Sequence, residues 1–201
     1  MLMAVILAGG RGTRLGSANK ALIELGGRPL VRHVIDRVAG QADEVVLNCP
    51  RGQAELEALG LPIAPDAGES AHLPGVFRGL HTALRRLAES AAPWTSVLTV
   101  PTDTPFLPRR LAAELGNAAG PSGVEFAADT ERAHAVIGLW SRVAAHQALV
   151  ALSAYDNESV ERFLRDRGGV AVRIALAPDE SFLNVNTPED LRAAKTFAAA
   201  R

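Results

Sequence analysis

Residues 4–20, AVILAGGRGTRLGSANK, set four glycines, two arginines and a lysine directly behind an apolar run. Backbone N–H groups left bare by Gly9, Gly10 and Gly12, beside Arg11, Arg14 and Lys20, are the parts from which α/β proteins build polyphosphate sites. Residues 1–23 hold those three cations and no acid, although the whole chain carries a formal net charge of −1. The chain has only two lysines, Lys20 and Lys195, so a compact ammonium at position 20 stands out against a background of arginine. A second grouping is Pro101-Thr102-Asp103-Thr104-Pro105. Its prolines hold Asp103 in a stiff turn that continues neither strand nor helix. A fixed carboxylate near a cationic phosphate loop suits Mg²⁺, a hard ion that takes carboxylate and phosphate oxygens. Capping of the following helix is the alternative use of Asp103.

Elements able to position these residues alternate along nearly the whole chain. Apolar, β-rich runs fall at 3–8, 44–48, 62–65, 95–100, 124–128, 135–140 and 170–176. Helical patterns fall between them: one beginning at Arg28-Pro29, others at about 52–59, 75–90, 108–118, 141–153, 157–167 and 188–199. Thr187, Pro188 and Asp190 read as N-cap, first helical position and capping-box partner of the last helix. Continuous apolar strands separated by helices predict an α/β fold, a three-layer α/β/α Rossmann-like arrangement around a mostly parallel sheet. Ligands on such sheets bind beyond the carboxyl ends of the strands. Gly9, Asn48, Asp66 and Asp103 each follow an apolar run and are therefore expected at one site.

Composition excludes several classes. Hydrophobic residues make up 48% of the 201-residue chain and charged residues 21%, as in ordinary globular proteins. Near-zero net charge argues against nucleic acid as a partner, and the five histidines show no metal-ligand spacing. Cys49 is the single cysteine, so no internal disulfide is possible and a reducing compartment is expected. The opening MLMAVILAGG is too short to span a membrane and has no charged n-region, which gives the expectation of a cytoplasmic protein without a membrane partner. Neither a Walker P-loop nor a full Gly-x-Gly-x-x-Gly fingerprint is present, since Leu15 stands at the third glycine position. A Gly-x-Ser-x-Gly nucleophile elbow is also missing.

Leu7-Ala8-Gly9-Gly10 with Arg11, Arg14, Gly16 and Lys20 resembles the opening signature of the molybdenum cofactor guanylyltransferase family, whose fold is shared with sugar-phosphate nucleotidylyltransferases. Asn48, Asp66, Gly75–Gly79, Pro101–Pro105 and the run Phe182-Leu-Asn-Val-Asn-Thr-Pro-Glu-Asp-Leu191 follow in that family's order. The resemblance covers about 7–191. This chain departs from it at Gly75-Val-Phe-Arg-Gly79, where the family usually has Gly-Pro-Leu-Ala-Gly, and at His134-Ala135, where it usually has His-Pro.

The resemblance implies one nucleotidyltransferase domain over 1–201, its nucleotide-binding half about 1–105 and its acceptor-binding half about 106–201. It implies that Leu7, Ala8 and Gly9 lie against the base, that Gly10 leaves room for a purine amino group, and that Asn48 and Asp66 help to read the nucleotide. Gly12, Gly79, Asn184 and Asn186 complete the implied binding set. Arg11 and Arg14 would hold the outer phosphates, Lys20 would stabilise charge at the α-phosphate, and Asp103 would carry Mg²⁺. The implied reaction moves GMP from GTP to the phosphate of molybdopterin, with molybdoenzymes or their chaperones as further partners. Another phosphate acceptor, such as a sugar or cobinamide phosphate, and a non-catalytic GTP-binding partner protein are the alternatives. From the residues alone, Gly9, Gly10 and Gly12 also fit a tight turn, Asn184 and Asn186 fit a loop before the last helix, and His134 fits a structural role.

Overall fold

The computed structural model describes residues 1–10, 12–17, 19–155 and 158–200. In chain order, β1 (Leu2–Leu7) runs into the glycine loop, which contains 3-10 turns at Thr13–Leu15 and Lys20–Leu22. A small hairpin, β2 (Glu24–Leu25) and β3 (Arg28–Pro29), leads to α1 (Leu30–Val38), β4 (Glu44–Asn48) and the single turn α2 (Ala54–Glu57). Next come α3 (Gly75–Glu89), β5 (Ser96–Pro101), α4 (Leu111–Asn117), β6 (Val124–Ala128) and β7 (Ala133–Ser141). The chain closes with α5 (Arg142–Leu152), α6 (Val160–Arg165), β8 (Val170–Arg173) and α7 (Pro188–Ala199).

Six strands form one sheet in the order β4-β1-β5-β7-β6-β8. β4, β1 and β5 are parallel, β7 is antiparallel to both β5 and β6, and β6 is parallel to β8. Apolar residues on both faces of β1 dictate burial from both sides. Met3 and Val5 join one cluster with Leu80 and Leu84 of α3, Ala144 and Ala148 of α5 and Phe163 of α6. Ala4 and Ile6 join the opposite cluster with Val31, Val34 and Val38 of α1 and Leu111 and Leu115 of α4. The layers are therefore α/β/α, as the sequence pattern requires. A third cluster, of Ile23, Leu25, Leu30, Phe106, Val185 and Ala194, ties α7 to the hairpin near the loop end of the sheet.

Two local readings need correction. Residues 62–65 do not form a strand; a single parallel bridge joins Leu47 to Ile63. Pro62 and Pro65 remove the N–H groups that a longer ladder at the sheet edge would need. Arg28 and Pro29 are not the first turn of a helix but one arm of the β2–β3 hairpin. The intervening Gly26 and Gly27 have φ of 60° and 76°, the left-handed pair demanded by a two-residue turn between right-twisted strands. Pro29 then caps α1 from outside, with extended ψ of 144°. The last helix forms as expected: Thr187 accepts from Asp190 N–H, and the Asp190 carboxylate accepts from Thr187 N–H.

Candidate active site

A cleft of about 680 Å³ opens where β1, β4 and β5 end, a size usual for small-molecule sites. Leu7, Gly9, Gly10, Lys20 and Asp103 all line it. Hydrogen bonds from Ala8 N–H to Asn48 O (2.8 Å) and from Thr102 N–H to Leu7 O (3.3 Å) carry the strand pairing to the cleft's edge. Among the described residues, chain neighbours aside, an added Cβ at Gly9 or Gly10 would meet nothing within 4 Å. Neither glycine is needed for packing, so bare backbone at the cleft is what the two positions provide. Gly12 differs: a Cβ there would stand 3.0 Å from Ser17 Cβ and 3.2 Å from Ile23 Cδ1, which makes it a packing glycine of the loop.

Lys20 reaches across the loop's mouth. Its N–H donates to Gly10 O at 3.2 Å, and Asn19, whose side chain accepts from Ala21 N–H, caps the 3-10 turn that carries it. Nζ donates to Asp103 Oδ2 and to Asn186 Oδ1, each at 2.5 Å. The ion pair is largely buried, with side-chain exposures of 11% for Lys20 and 17% for Asp103. Asp103 is fixed through its main chain, whose carbonyl accepts from Val185 N–H at 2.8 Å. Thr104 Oγ1 donates to Asn184 Oδ1 at 2.8 Å, so the Pro101–Pro105 turn and the 184–186 segment are laced together. Asn186 is presented by the helix that follows. Asp190 of the α7 capping box accepts from the N–H groups of both Asn186 and Thr187. Burial raises the Asp190 carboxyl, but those N–H groups, the Thr187 hydroxyl and the nearby Lys20 charge bring it below the usual carboxylate range.

A second polar set lies at the end of β4. Asn48 is buried and donates from Nδ2 to Ala64 O (3.0 Å) and to Asp66 Oδ1 (2.8 Å). Thr82 of α3 donates to the same Asp66 oxygen at 3.2 Å. Among the described residues, Asp66 Oδ2 accepts no hydrogen bond and is left as an acceptor beside the cleft. Gly79 makes this set possible. A Cβ there would fall 2.8 Å from Asn48 Oδ1 and 3.0 Å from Leu7 Cδ2, so α3 can approach the strand ends only with glycine at this position.

β7 supplies another wall. Its pairing with β6 jumps from Phe126↔Gly138 to Ala127↔His134, which leaves Ala135, Val136 and Ile137 without partners on β6. That bulge turns Ala135–Ile137 into the cleft, the use to which such irregularities are commonly put beside sites. His134 is buried, stacks on Phe182 with ring centroids 4.5 Å apart, and bonds through Nε2 to Asp129 Oδ2 at 2.8 Å. Asp129 Oδ1 accepts from the N–H groups of Glu131 and Arg132 at 2.7 and 2.8 Å. Burial opposes ionisation of Asp129, yet the Arg132 N–H, His134 and the Glu131 N–H outweigh it and bring the carboxyl down to about 2.

The fold therefore gathers Leu7, Gly9, Gly10, Lys20, Asn48, Asp66, Gly79, Asp103 and Asn184 around one cleft. Asn186 reaches it through Lys20. Ala8 lies instead in the core cluster on the α1 side of the sheet, and Arg14, exposed on its 3-10 turn, is not among the residues that line the cleft. Arg11 is outside the described residues. Sequence reasoning missed Arg132 and the β7 bulge, both of which line the cleft. It also missed the anchoring of Arg78, another lining residue, whose guanidinium donates to Leu73 O and Ala71 O. Among the described residues no three His, Cys, Asp or Glu side chains converge, so an ion here would draw on the substrate's oxygens as well as the protein's.

Known proteins are similar to this chain in sequence and in fold. The model for the MobA-like NTP transferase domain matches residues 4–172. A molybdenum cofactor guanylyltransferase of Cereibacter sphaeroides is 37% identical over 196 residues, covering 98% of this chain and 96% of its own. A protein of the same name from Acidiphilium cryptum is 38% identical over 196 residues, covering 96% and 94%. In fold, the crystal structure of molybdopterin-guanine dinucleotide biosynthesis protein A from Archaeoglobus fulgidus is similar at a TM-score of 0.75, with 21% identity and full coverage of both chains. A bare glycine loop, a lysine–aspartate pair at the strand ends and near full-length similarity agree, and the chain belongs to the MobA-like nucleotidyltransferase family.

Proposed function

We propose that the protein transfers the guanylyl group of GTP to the terminal phosphate of a molybdopterin-type cofactor and releases pyrophosphate. The observation that carries this reading is the half-buried Lys20–Asp103–Asn186 cluster beside the open backbone of Gly9 and Gly10. An oxygen of the acceptor phosphate attacks the α-phosphorus, and the bond from that phosphorus to the oxygen bridging to the β-phosphate breaks. Pyrophosphate leaves with the electron pair. Such chemistry needs positioning and charge neutralisation more than a protein nucleophile. Lys20 meets the charge that grows on the α-phosphate oxygens, while the backbone of Gly9 and Gly10, with the side chains of Arg11 and the exposed Arg14, holds the β- and γ-phosphates.

Leu7 and Gly9 form the strand end along which the base lies, Ala8 joins them through its main chain alone, and Gly10 leaves space beside it. Asp66, held by Asn48 and Thr82, offers a fixed acceptor to the N–H edge of guanine. Asp103 Oδ2 and Asn186 Oδ1 converge on one cation already, and with Asn184 they make an oxygen donor set that fits Mg²⁺. When bound there, Mg²⁺ neutralises phosphate charge. Within one domain over 1–201, residues to about 105 hold the nucleotide, and the β7 bulge with the 184–186 segment belongs to the acceptor-side half. Recipients of the product, molybdoenzymes or their chaperones, follow from the cofactor's destination. A lone buried Cys49 is in keeping with a reducing cytoplasm. No helix among the described residues is long and apolar enough to cross a membrane.

The test is pyrophosphate release with GTP, CTP, ATP and UTP, each with Mg²⁺ and molybdopterin. Release with GTP alone is expected. Release only when a sugar phosphate or cobinamide phosphate replaces molybdopterin would reassign the acceptor. Tight GTP binding without release under any condition would leave a nucleotide-binding partner protein.

A further inference from the structure

Lys20 occupies a position with a second meaning. Its Nζ lies 2.5 Å from a carboxylate oxygen of Asp103 and 2.5 Å from the amide oxygen of Asn186, in a setting where its side chain is only 11% exposed. Two oxygens from segments far apart in sequence thus close on one cation, and that cation belongs to the protein. An ammonium and a metal ion cannot share those oxygens at such distances, because like charges this close repel strongly when little water separates them. Asp103 and Asn186 are both held by their own main chains, through Val185 N–H and through Asp190. The lysine side chain is the movable member: its backbone is pinned to Gly10 O, but its four-carbon stem can swing within the cleft that Lys20 and Gly10 both line.

We propose that Lys20 is a resident counter-ion that keeps the Asp103–Asn186 oxygens closed to divalent cations until a nucleoside triphosphate draws its ammonium away. This rests on the assignment of Asp103 as the metal-holding residue and adds an order of events. Metal enters together with, or after, the triphosphate, whose oxygens compensate the ammonium and supply the remaining ligands. The protein alone then takes up little divalent ion, and the geometry of Asp103 and Asn186 is kept ready without one.

Mn²⁺ alone is the probe, followed by loss of the free-ion signal in electron paramagnetic resonance, without nucleotide. Lys20→Met is expected to bind Mn²⁺ at least about tenfold more tightly than the unaltered protein. Adding Asp103→Asn to Lys20→Met should abolish the gain. Lys20→Gln carries the same expectation, and Lys20→Arg, which keeps the charge, should exclude Mn²⁺ as the unaltered protein does; cooperative thermal unfolding qualifies each variant. Equal Mn²⁺ affinity with and without the lysine charge overturns the proposal, as does a gain that survives Asp103→Asn. A separate arm measures Mn²⁺ uptake by the unaltered protein with a non-hydrolysable GTP analogue. Uptake lost in Asp103→Asn upholds the metal assignment even if Lys20→Met shows no gain; no uptake dependent on Asp103 removes that assignment and the counter-ion with it.

Discussion

The glycine loop after β1 and the bulge of β7 line the same cleft and are built in opposite ways. At Gly9 and Gly10 the wall is bare backbone, with no atom of the described residues within 4 Å of an added Cβ beyond the chain neighbours. At β7 the wall is side chains held from behind: His134 is stacked on Phe182 and bonded to Asp129, which in turn gathers two backbone N–H groups. The first wall leaves its contacts to be made by a ligand; the second has made them already. Substitution on the loop side should therefore change binding and turnover with little effect on folding, and substitution behind β7 should do the reverse.

The largest effect expected on the ligand side is at Asp103. Asp103→Asn keeps the turn and the Val185 contact, which uses main-chain atoms, and should lower turnover about 10²-fold or more, the scale of losing one preorganised electrostatic group. Steady-state kinetics together with a thermal melt reads both halves of that statement. Gly79→Val breaks the comparison deliberately, because this glycine lines the cleft yet is packed. With Asn48 Oδ1 at 2.8 Å from the new Cβ, it should cost about 2–3 kcal/mol of stability, as overpacking of a filled site does. Chemical denaturation measures it.

Gly10→Ala sharpens the contrast. Its Cβ meets no atom of the described residues within 4 Å beyond its chain neighbours, so stability should stay within about 0.5 kcal/mol, while GTP affinity falls about tenfold by titration calorimetry. Asp129→Asn, of similar size, falls on the folding side, at about 1–2 kcal/mol near neutral pH. The native Asp129 carboxyl lies at about 2, below the unfolded value near 3.8. Its stabilisation is therefore complete above about pH 4 and fades as the pH falls toward 2. Denaturation midpoints of the two proteins should converge over that window.

Elements whose chemistry is local were legible in the sequence. The β1 run into Gly9, the proline-bounded turn at Asp103 and the Thr187–Asp190 cap each declare themselves within a few residues, and each forms. What was not legible depends on partners distant in the chain. The reversal of β7 and its three unpaired residues arise from how the sheet closes, and an apolar run has no direction in its composition. Arg78 and Arg132 carry no local sign of their place at the cleft, because the backbone groups around them are set by the folded loops. The Gly26-Gly27 turn did have a local signal, two adjacent glycines between short apolar stretches, and the neighbouring Pro29 drew the reading toward a helix start instead. Ala8 follows a similar logic: it belongs to the glycine signature in sequence, but strand alternation turns it into the core.

In the proposed reaction the α-phosphate of GTP is the group that moves. Parallel reactions with GTP labelled at the α- or the γ-phosphate, with molybdopterin as acceptor, test it most directly. α-Label is expected in the acceptor product and γ-label in pyrophosphate, with both transfers reduced about 10²-fold in Asp103→Asn. Transfer of γ-label to the acceptor, or α-label transfer undiminished in Asp103→Asn, would contradict it.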